Sequence, residues 1–575
     1  MTGQIAARAQ LALAGGLGGL LVWAVYRAGE KEWIGQYPAF VLFGFLLASF
    51  GAFLAMAGPI GPGKALVRAL GMGLLLAALI ALTALRYAEA DEFLNSPMPS
   101  LAALTVATLP VPFLIAAARG NWRDYSALFL EAWSIVLRIA ASGAFTGLVW
   151  LVIYLSDEVL RIVGIDLIGR LLEHEVVPMV LSGAIFGLGM AVIYDLAELL
   201  SPYVVLRMFR LFLPVVLGVM AIFLMALPFR GLDGLVSGFS PAGLLLAMVA
   251  GGIALVSIAV DQTDAEATDS PLLRRSAQGM ALVLPLVAAL ALYAIWLRVG
   301  DYGWTPERLF MMLVAGIGLA YGLVYAVSVL RGGVWMERIR QGNIRMALVI
   351  VALAALWLTP VLNAERISAI DQLARFEVGT TKVEALDVWA LQSWGKPGAE
   401  VIATLEAKAK EPGQEALAAA LKGQVQGSVT DRAALVADLV KAMPLQPATA
   451  TGTRDTLLAA VEDYLLQDWK AVCEARLDAT TPSCLMVVAD LLPDLPGEEA
   501  MLFLQRSADY TEVSGLYLDS EGRLVVRPAS HSDGRYLDPA EAVQLLRQYE
   551  TAPPPVTAAP LNQIGTGETG LIFLP

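Results

Sequence analysis

From Leu309 to Leu330 the chain runs for twenty-two residues without a charged side chain. As a helix rising 1.5 Å per residue, such a run crosses about 30 Å of hydrocarbon. A backbone in lipid must satisfy its own N–H and C=O groups, so a run of this length is read as a helix. The residues before it agree. In Trp304-Thr305-Pro306-Glu307-Arg308 the Thr can accept free amides, Pro stands at the first helical position and Glu meets the positive end of the dipole. A basic turn (Arg331, Arg338, Arg340, Arg345) then leads to a last apolar run, Met346 to Val361, after which the chain stays charged.

Comparable runs occur at 9–26, 38–58, 66–86, 99–118, 130–155, 175–194, 209–228, 241–260, 276–297, 308–330 and 345–363. Pro110 and Pro112 interrupt the fourth, which a span tolerates when neighbours satisfy the freed carbonyls. The first run has only Arg8 ahead of it and ends in Tyr26-Arg27 without a small-x-small cleavage site, so it reads as a retained span. The expected fold is a polytopic all-α membrane bundle of about eleven spans followed by a soluble α+β domain. Its expected divisions are a transmembrane domain at 1–364, the α+β domain at 365–550 and a Pro/Ala-rich arm at 551–575.

Mean hydropathy is +0.66, a membrane value, but charge divides the chain. Residues 1–364 carry 22 acidic and 22 basic side chains, whereas 365–575 carry 30 and 17, which accounts for the whole net charge of −13. An acidic tail excludes nucleic acid, which asks for basic patches. Short-loop Lys and Arg number thirteen on the side of the N-terminus and eight on the other. That bias favours a cytoplasmic N-terminus, and an odd number of spans then places the tail outside the cytoplasm. Only two cysteines occur, Cys473 and Cys484. Both lie in the tail, where an oxidising compartment would permit a disulfide; a thiol buried in an amphipathic helix fits the same letters. Neither has the neighbours of a zinc site, and no metal or cofactor is expected.

Between the fifth and sixth runs, Asp157 to Glu175 mixes apolar and charged positions at a helical period, which predicts a helix in the outer interface. Trp335 to Asn343 predicts its counterpart on the other side. The runs Gly15 to Gly19 and Gly187 to Gly189 suit close helix approach and lack the context of phosphate loops. In the tail, Glu365 to Phe376, Leu386 to Leu391, Ala399 to Lys410, Glu415 to Leu421 and Asp431 to Met443 read as helices, with Thr453 to Ala475 the longest. Strands are expected at Leu485 to Val488, Ala500 to Gln505, Glu512 to Leu518 and Arg523 to Val526, then a helix from Asp538 to Tyr549. The extended arm follows, with an edge strand at Leu571 to Leu574.

Ionisable groups at membrane depth are costly and face the bundle interior or a cavity. Glu131 and Arg138, seven apart, fall on one face of the fifth span; a polar path and a structural ion pair both fit them. Tyr194, Asp195 and Glu198 close the sixth span, at the interface or at an entrance to such a path. On the outer face an enzymatic reading would need Asp166, Arg170, His174 and Tyr302 to converge. His174 has Glu on both sides, but neighbours at i±1 point apart on a helix. His531, in Ser530-His531-Ser532-Asp533-Gly534, reads as a polar loop. Gly565 to Gly570 spells Gly-x-Gly-x-x-Gly without room for the helix that a dinucleotide site needs.

Three groups of residues together resemble a known family: Tyr302 to Arg308, Leu358 to Asn363 running on into Glu365 to Gln372, and Val383 to Asp387 leading to Trp394-Gly395. With the layout of spans they are similar to a family of bacterial multipass membrane proteins known as domain-of-unknown-function family 4153. The resemblance covers the membrane domain and the start of the tail. It implies a bacterial inner membrane, with the tail periplasmic, and carries no activity or site residue. Many spans with proline breaks and a few buried charges suit a path through the membrane, so the expected function is transport or permeation. The alternatives are an envelope scaffold or sensor binding a protein partner through its acidic tail, and a membrane-embedded enzyme acting on lipid-linked substrates. Membrane lipids are the remaining expected partners.

Overall fold

The computed structural model describes the chain apart from residues 1, 88–91, 94–95, 196–201, 231–240, 415, 419, 422–431, 476–482, 493–494, 496, 508–509, 520–521, 532–536, 553, 559–561, 565–570 and 574–575. It forms two compact units, Met1–Leu417 and Ala418–Pro575. The helices just after the last span, Ala364–Glu377, Val388–Gln392 and Gly395–Lys408, thus belong to the span-bearing unit, beyond the division expected at 364.

Eleven helices among the described residues are long and apolar enough to cross a membrane: Ile5–Glu30, Gln36–Ile60, Pro62–Ala84, Pro97–Ala118, Tyr125–Ile162, Val176–Asp195, Val205–Leu227, Ala242–Val260, Pro271–Tyr302, Pro306–Leu330 and Trp335–Trp357. They are the first to eleventh spans below. Their starts follow the caps in the sequence. Thr305 Oγ1 accepts from the Arg308 amide at 3.3 Å and Ser270 caps the ninth span in the same way, each with Pro next in line. The fourth span breaks at Pro110 into Pro97–Thr108 and Val111–Ala118, because neither Pro110 nor Pro112 has an N–H to give.

Glycine sets the closest approach in the bundle. A Cβ on Gly15 would run into the Gly183 carbonyl, one on Gly183 into the Gly15 carbonyl, and one on Gly187 into the Leu11 carbonyl. The first and sixth spans therefore touch backbone to backbone, the small-residue packing that lipid favours.

Two expected interfacial helices take another form. Trp335 to Asn343 are the first turns of the eleventh span, because the protein supplies acceptors for their cations: Arg340 donates to the carbonyls of Val260 and Asp261, and Arg338 to those of Ser328 and Gly332. Asp157 to Ile162 likewise extend the fifth span. The chain turns at Gly164, whose φ of 79° is open to glycine, and makes only a short helix, Leu167–Leu172.

The second unit is an eight-stranded sheet in the order β1-β2-β3-β4-β5-β8-β7-β6. Its strands are β1 Leu445–Gln446, β2 Cys484–Ala489, β3 Glu499–Ser507, β4 Tyr510–Leu518, β5 Leu524–His531, β6 Val556–Ala558, β7 Asn562–Ile564 and β8 Leu571–Phe573. Among the described residues only β1 and β2 pair in parallel. Alternation serves two cores. Cys484, Met486 and Val488 with Ala500, Leu502 and Leu504 face helices Arg432–Ala442, Thr451–Ala460 and Asp463–Glu474, while Leu485, Val487, Met501 and Phe503 face Pro539–Thr551. Cys473 and Cys484 are disulfide-bonded with Cα atoms 5.0 Å apart, inside the first of these cores.

Three tail expectations are corrected. Thr453 to Ala475 is two helices, not one: Val461 is extended and Arg432 Nη2 donates to the carbonyls of Leu458, Ala459 and Val461, ending the first helix there. The residues after Thr551 are no free arm, since β6, β7 and β8 join the sheet, with β8 between β5 and β7 rather than at an edge. His531 is no loop residue. It ends β5 opposite Leu571, is buried, and has Nε2 3.2 Å from Glu541 Oε2. The glycine-rich Gly565 to Gly570 lies outside the described residues.

Candidate functional site

The fifth span is 38 residues long and starts at Asp124, whose carboxylate accepts the amides of Ser126 and Ala127. At 100° per residue, Glu131, Arg138 and Ser142 fall within about 40° of one another on its surface. The first two are the pair read from the sequence. Arg138 is 5% exposed, and its Nη1 donates to the Ala55 carbonyl of the second span at 3.4 Å. Its guanidinium lies 5.5 Å from the Tyr194 ring centre, within cation–π range. Gly58 admits that ring, since a Cβ there would stand 2.9 Å from it.

Glu131 is shared. Its Oε1 accepts from Arg119 Nη1 at 2.6 Å, while its Oε2 lies 3.7 Å from Arg138 Nη2, too far for a hydrogen bond. Arg138 Nη2 and Ser142 Oγ are both buried without a hydrogen-bond partner. Among the described residues two guanidiniums thus divide one carboxylate, and the excess there is positive. Ala55 precedes the end of the second span by five residues, so Arg138 stands about 8 Å inside it and Ser142 about 6 Å deeper. Arg119, Glu131, Arg138 and Ser142 form a polar ladder from the membrane edge to near the middle of a roughly 30 Å layer.

Of the other sequence candidates, Asp195 pairs with Arg8 at 2.8 Å beside this site, and Glu198 lies outside the described residues. The outer-face set does not assemble. Asp166 pairs with Arg170 and Arg161 at 3.7 Å, but His174 is exposed, and Tyr302 closes the ninth span against Arg308. Among the described residues no ion pair or hydrogen bond joins either to the Asp166 pair.

Three further buried networks lie among residues that the sequence did not single out. Asp261, fully buried at φ 52°, pairs with Arg210 and accepts the Gln262 amide. Arg210 also donates to Ile258 and Glu266 carbonyls, and Arg340, which binds the carbonyls of Val260 and Asp261, pairs with Asp264 at 2.8 Å. Two arginines therefore cap the carbonyl end of the eighth span, where its dipole is negative. Beside them Tyr325, Ser257, Asn343 and Tyr125 complete one another's hydrogen bonds across four spans. At the opposite edge Arg86 pairs with Glu365 at 3.2 Å and binds the carbonyls of Trp357 and Thr359, and Tyr87 donates to Glu365 at 2.6 Å. Burial, then the Glu365 charge, holds the Tyr87 phenol well above its ordinary pKa, so it remains a donor. In these networks Arg210, Arg340 and Arg86 each have a carboxylate of their own, although Arg86 Nε is buried without a hydrogen bond, whereas among the described residues Arg138 shares its carboxylate with Arg119.

The missed members of the site are Arg119 and Ser142. Ser142 carried a signal, four residues beyond Arg138 on the same face. Among described residues no group of His, Cys, Asp and Glu is arranged to hold a metal ion. No family model matches the chain, and no curated protein or solved structure matches it either.

Proposed function

We propose that this is a transporter or permease-like protein of a bacterial inner membrane, with its cytoplasmic edge at the Arg119 end and a small anionic solute as its cargo. The single observation that carries the reading is the buried Arg138 guanidinium, whose Nη2 has no hydrogen bond and which, among the described residues, shares its one carboxylate with Arg119. A positive group at this depth is costly unless something compensates it, and an anion entering from Arg119 would. Ser142 offers a hydroxyl on the next turn. Orientation follows from the basic loops, and the disulfide supports an oxidising compartment for the tail. Membership of family 4153 is proposed on its short motifs alone.

The test is complementation of a deletion strain with membrane abundance recorded. Replacing both Glu131 and Arg138 by Gln and Met removes both desolvation costs, so a merely structural pair predicts normal abundance and normal function. Transport predicts normal abundance with function lost. Full complementation by the double variant overturns the assignment.

One observation favours a second reading, the scaffold or sensor. The C-terminal unit has a cleft of about 870 Å³ whose walls combine Trp469, Leu502, Leu504 and Leu524 with Arg506 and Glu512, the mixture of apolar floor and charged rim that suits a peptide.

A further inference from the structure

A groove of about 560 Å³ runs between the tenth and eleventh spans, within the size range of small-molecule sites. Its walls are apolar from end to end. On the tenth span they extend from Leu309 to Ala320 and on the eleventh from Trp357 back to Met346, twelve residues in each case. The eleven steps between the ends rise about 16 Å, close to half of a roughly 30 Å hydrocarbon layer. The groove thus runs from the membrane edge at Ala364 and Ile367 to the midplane, the depth of one leaflet. Gly316 keeps its middle open, since a Cβ there would meet nothing within 4 Å.

The mouth has polar features that a second helix would leave unused. Trp357 is 2% exposed, lines the groove at that end, and its indole N–H has no partner. A buried donor costs free energy until an acceptor reaches it. One position before Ile367, Arg366 is exposed and forms no ion pair among the described residues. Around them Val361, Ile367 and Ile370 are 80%, 40% and 53% exposed, apolar side chains suited to the boundary between head groups and chains. An apolar slot one leaflet deep, a Trp at its entrance whose buried N–H has no partner and a free cation just outside match, in order, an acyl chain, an ester carbonyl and a phosphate.

We infer that this groove is a binding site for a glycerophospholipid of the leaflet on the tail's side, its chain between the tenth and eleventh spans, its ester carbonyl on Trp357 and its phosphate by Arg366. The site stands apart from the Arg138 ladder and does not depend on a transport role.

The probe is a phosphatidylglycerol with a diazirine halfway along one chain, added at a few per cent to phosphatidylglycerol and phosphatidylethanolamine vesicles holding the full-length protein. After irradiation, adducts are mapped by mass spectrometry. Adducts on Met312, Met346 and Leu353 should be at least fivefold denser than on Leu211, Val215 and Val219, which the seventh span exposes. Gly316→Trp should lower groove labelling at least fivefold and leave the seventh span unchanged, and Trp357→Phe should lower it about threefold. Equal labelling of groove and seventh span in the unaltered protein would mean surrounding lipid only and would overturn the proposal, whether or not a variant inserts. Unchanged labelling in correctly inserted Gly316→Trp would overturn it as well.

Discussion

Removing the disulfide should weaken the C-terminal unit by an amount that the loop size sets. Cys473 and Cys484 are eleven positions apart and close a ring of about a dozen residues, for which the lost chain entropy comes to about 3 kcal/mol. Both sulfurs lie in the core between the sheet and helix Asp463–Glu474, so the double variant Cys473→Ala, Cys484→Ala adds a small packing loss. With a urea dependence of about 2 kcal/mol per molar, the unfolding midpoint should fall by about 1.5 M. Pulse proteolysis of the full-length protein across a urea series, following the C-terminal fragment, measures it. Equal midpoints would refute the ring-closure argument, and two reactive thiols in the unaltered protein would refute the bond.

Gly183→Val should lower membrane abundance several-fold, because its side chain meets the Gly15 carbonyl, and quantitative immunoblotting of membranes checks it. Arg210→Met leaves Asp261 buried and short of its partner, a loss of about 3–5 kcal/mol, whereas Arg210→Met with Asp261→Asn should recover most of the thermal midpoint. Hydrogen bonds from Arg506 hold Asp468 below its ordinary pKa of 3.8, so this pair stabilises the fold above that value and the contribution is lost as pH falls through the lower, folded value. Arg506→Gln should therefore flatten the fall of the urea midpoint as pH drops below about 4. Reporter fusions after Gln372 and Thr551 should be active only as exported fusions, and cytoplasmic activity at both sites would reverse the orientation.

The spans were legible because a bilayer imposes one rule on every segment: an apolar length near 30 Å with its own backbone satisfied. Thr305-Pro306 and the glycines of the first and sixth spans carried local geometry in their letters. Asp261 did not. It follows the eighth span among Gln262, Asp264, Glu266 and Asp269 and reads as one more loop acid, since Arg210 and Arg340, which bury it, are 51 and 79 positions away. Those two arginines read as loop cations in the sequence, and in the fold they cap helix carbonyls. His531 sits among turn-forming letters, and the strand that covers it arrives 40 residues later at Leu571. Glu131 and Arg138 were visible as a facing pair. That Arg119 shares Glu131 was not, because a helical period relates positions within one helix only.

The claim that a polar path enters from the Arg119 edge can be tested at its deepest member. The native cysteines are bonded to each other, so Ser142→Cys introduces the sole free thiol. In sealed vesicles exposing that edge, a membrane-impermeant anionic thiol reagent should label Cys at this position, faster than a cationic reagent of equal size, and Arg138→Met should remove the difference. No labelling in the folded protein, alongside full labelling after denaturation, would contradict the account: the fifth span would then be sealed at Arg138.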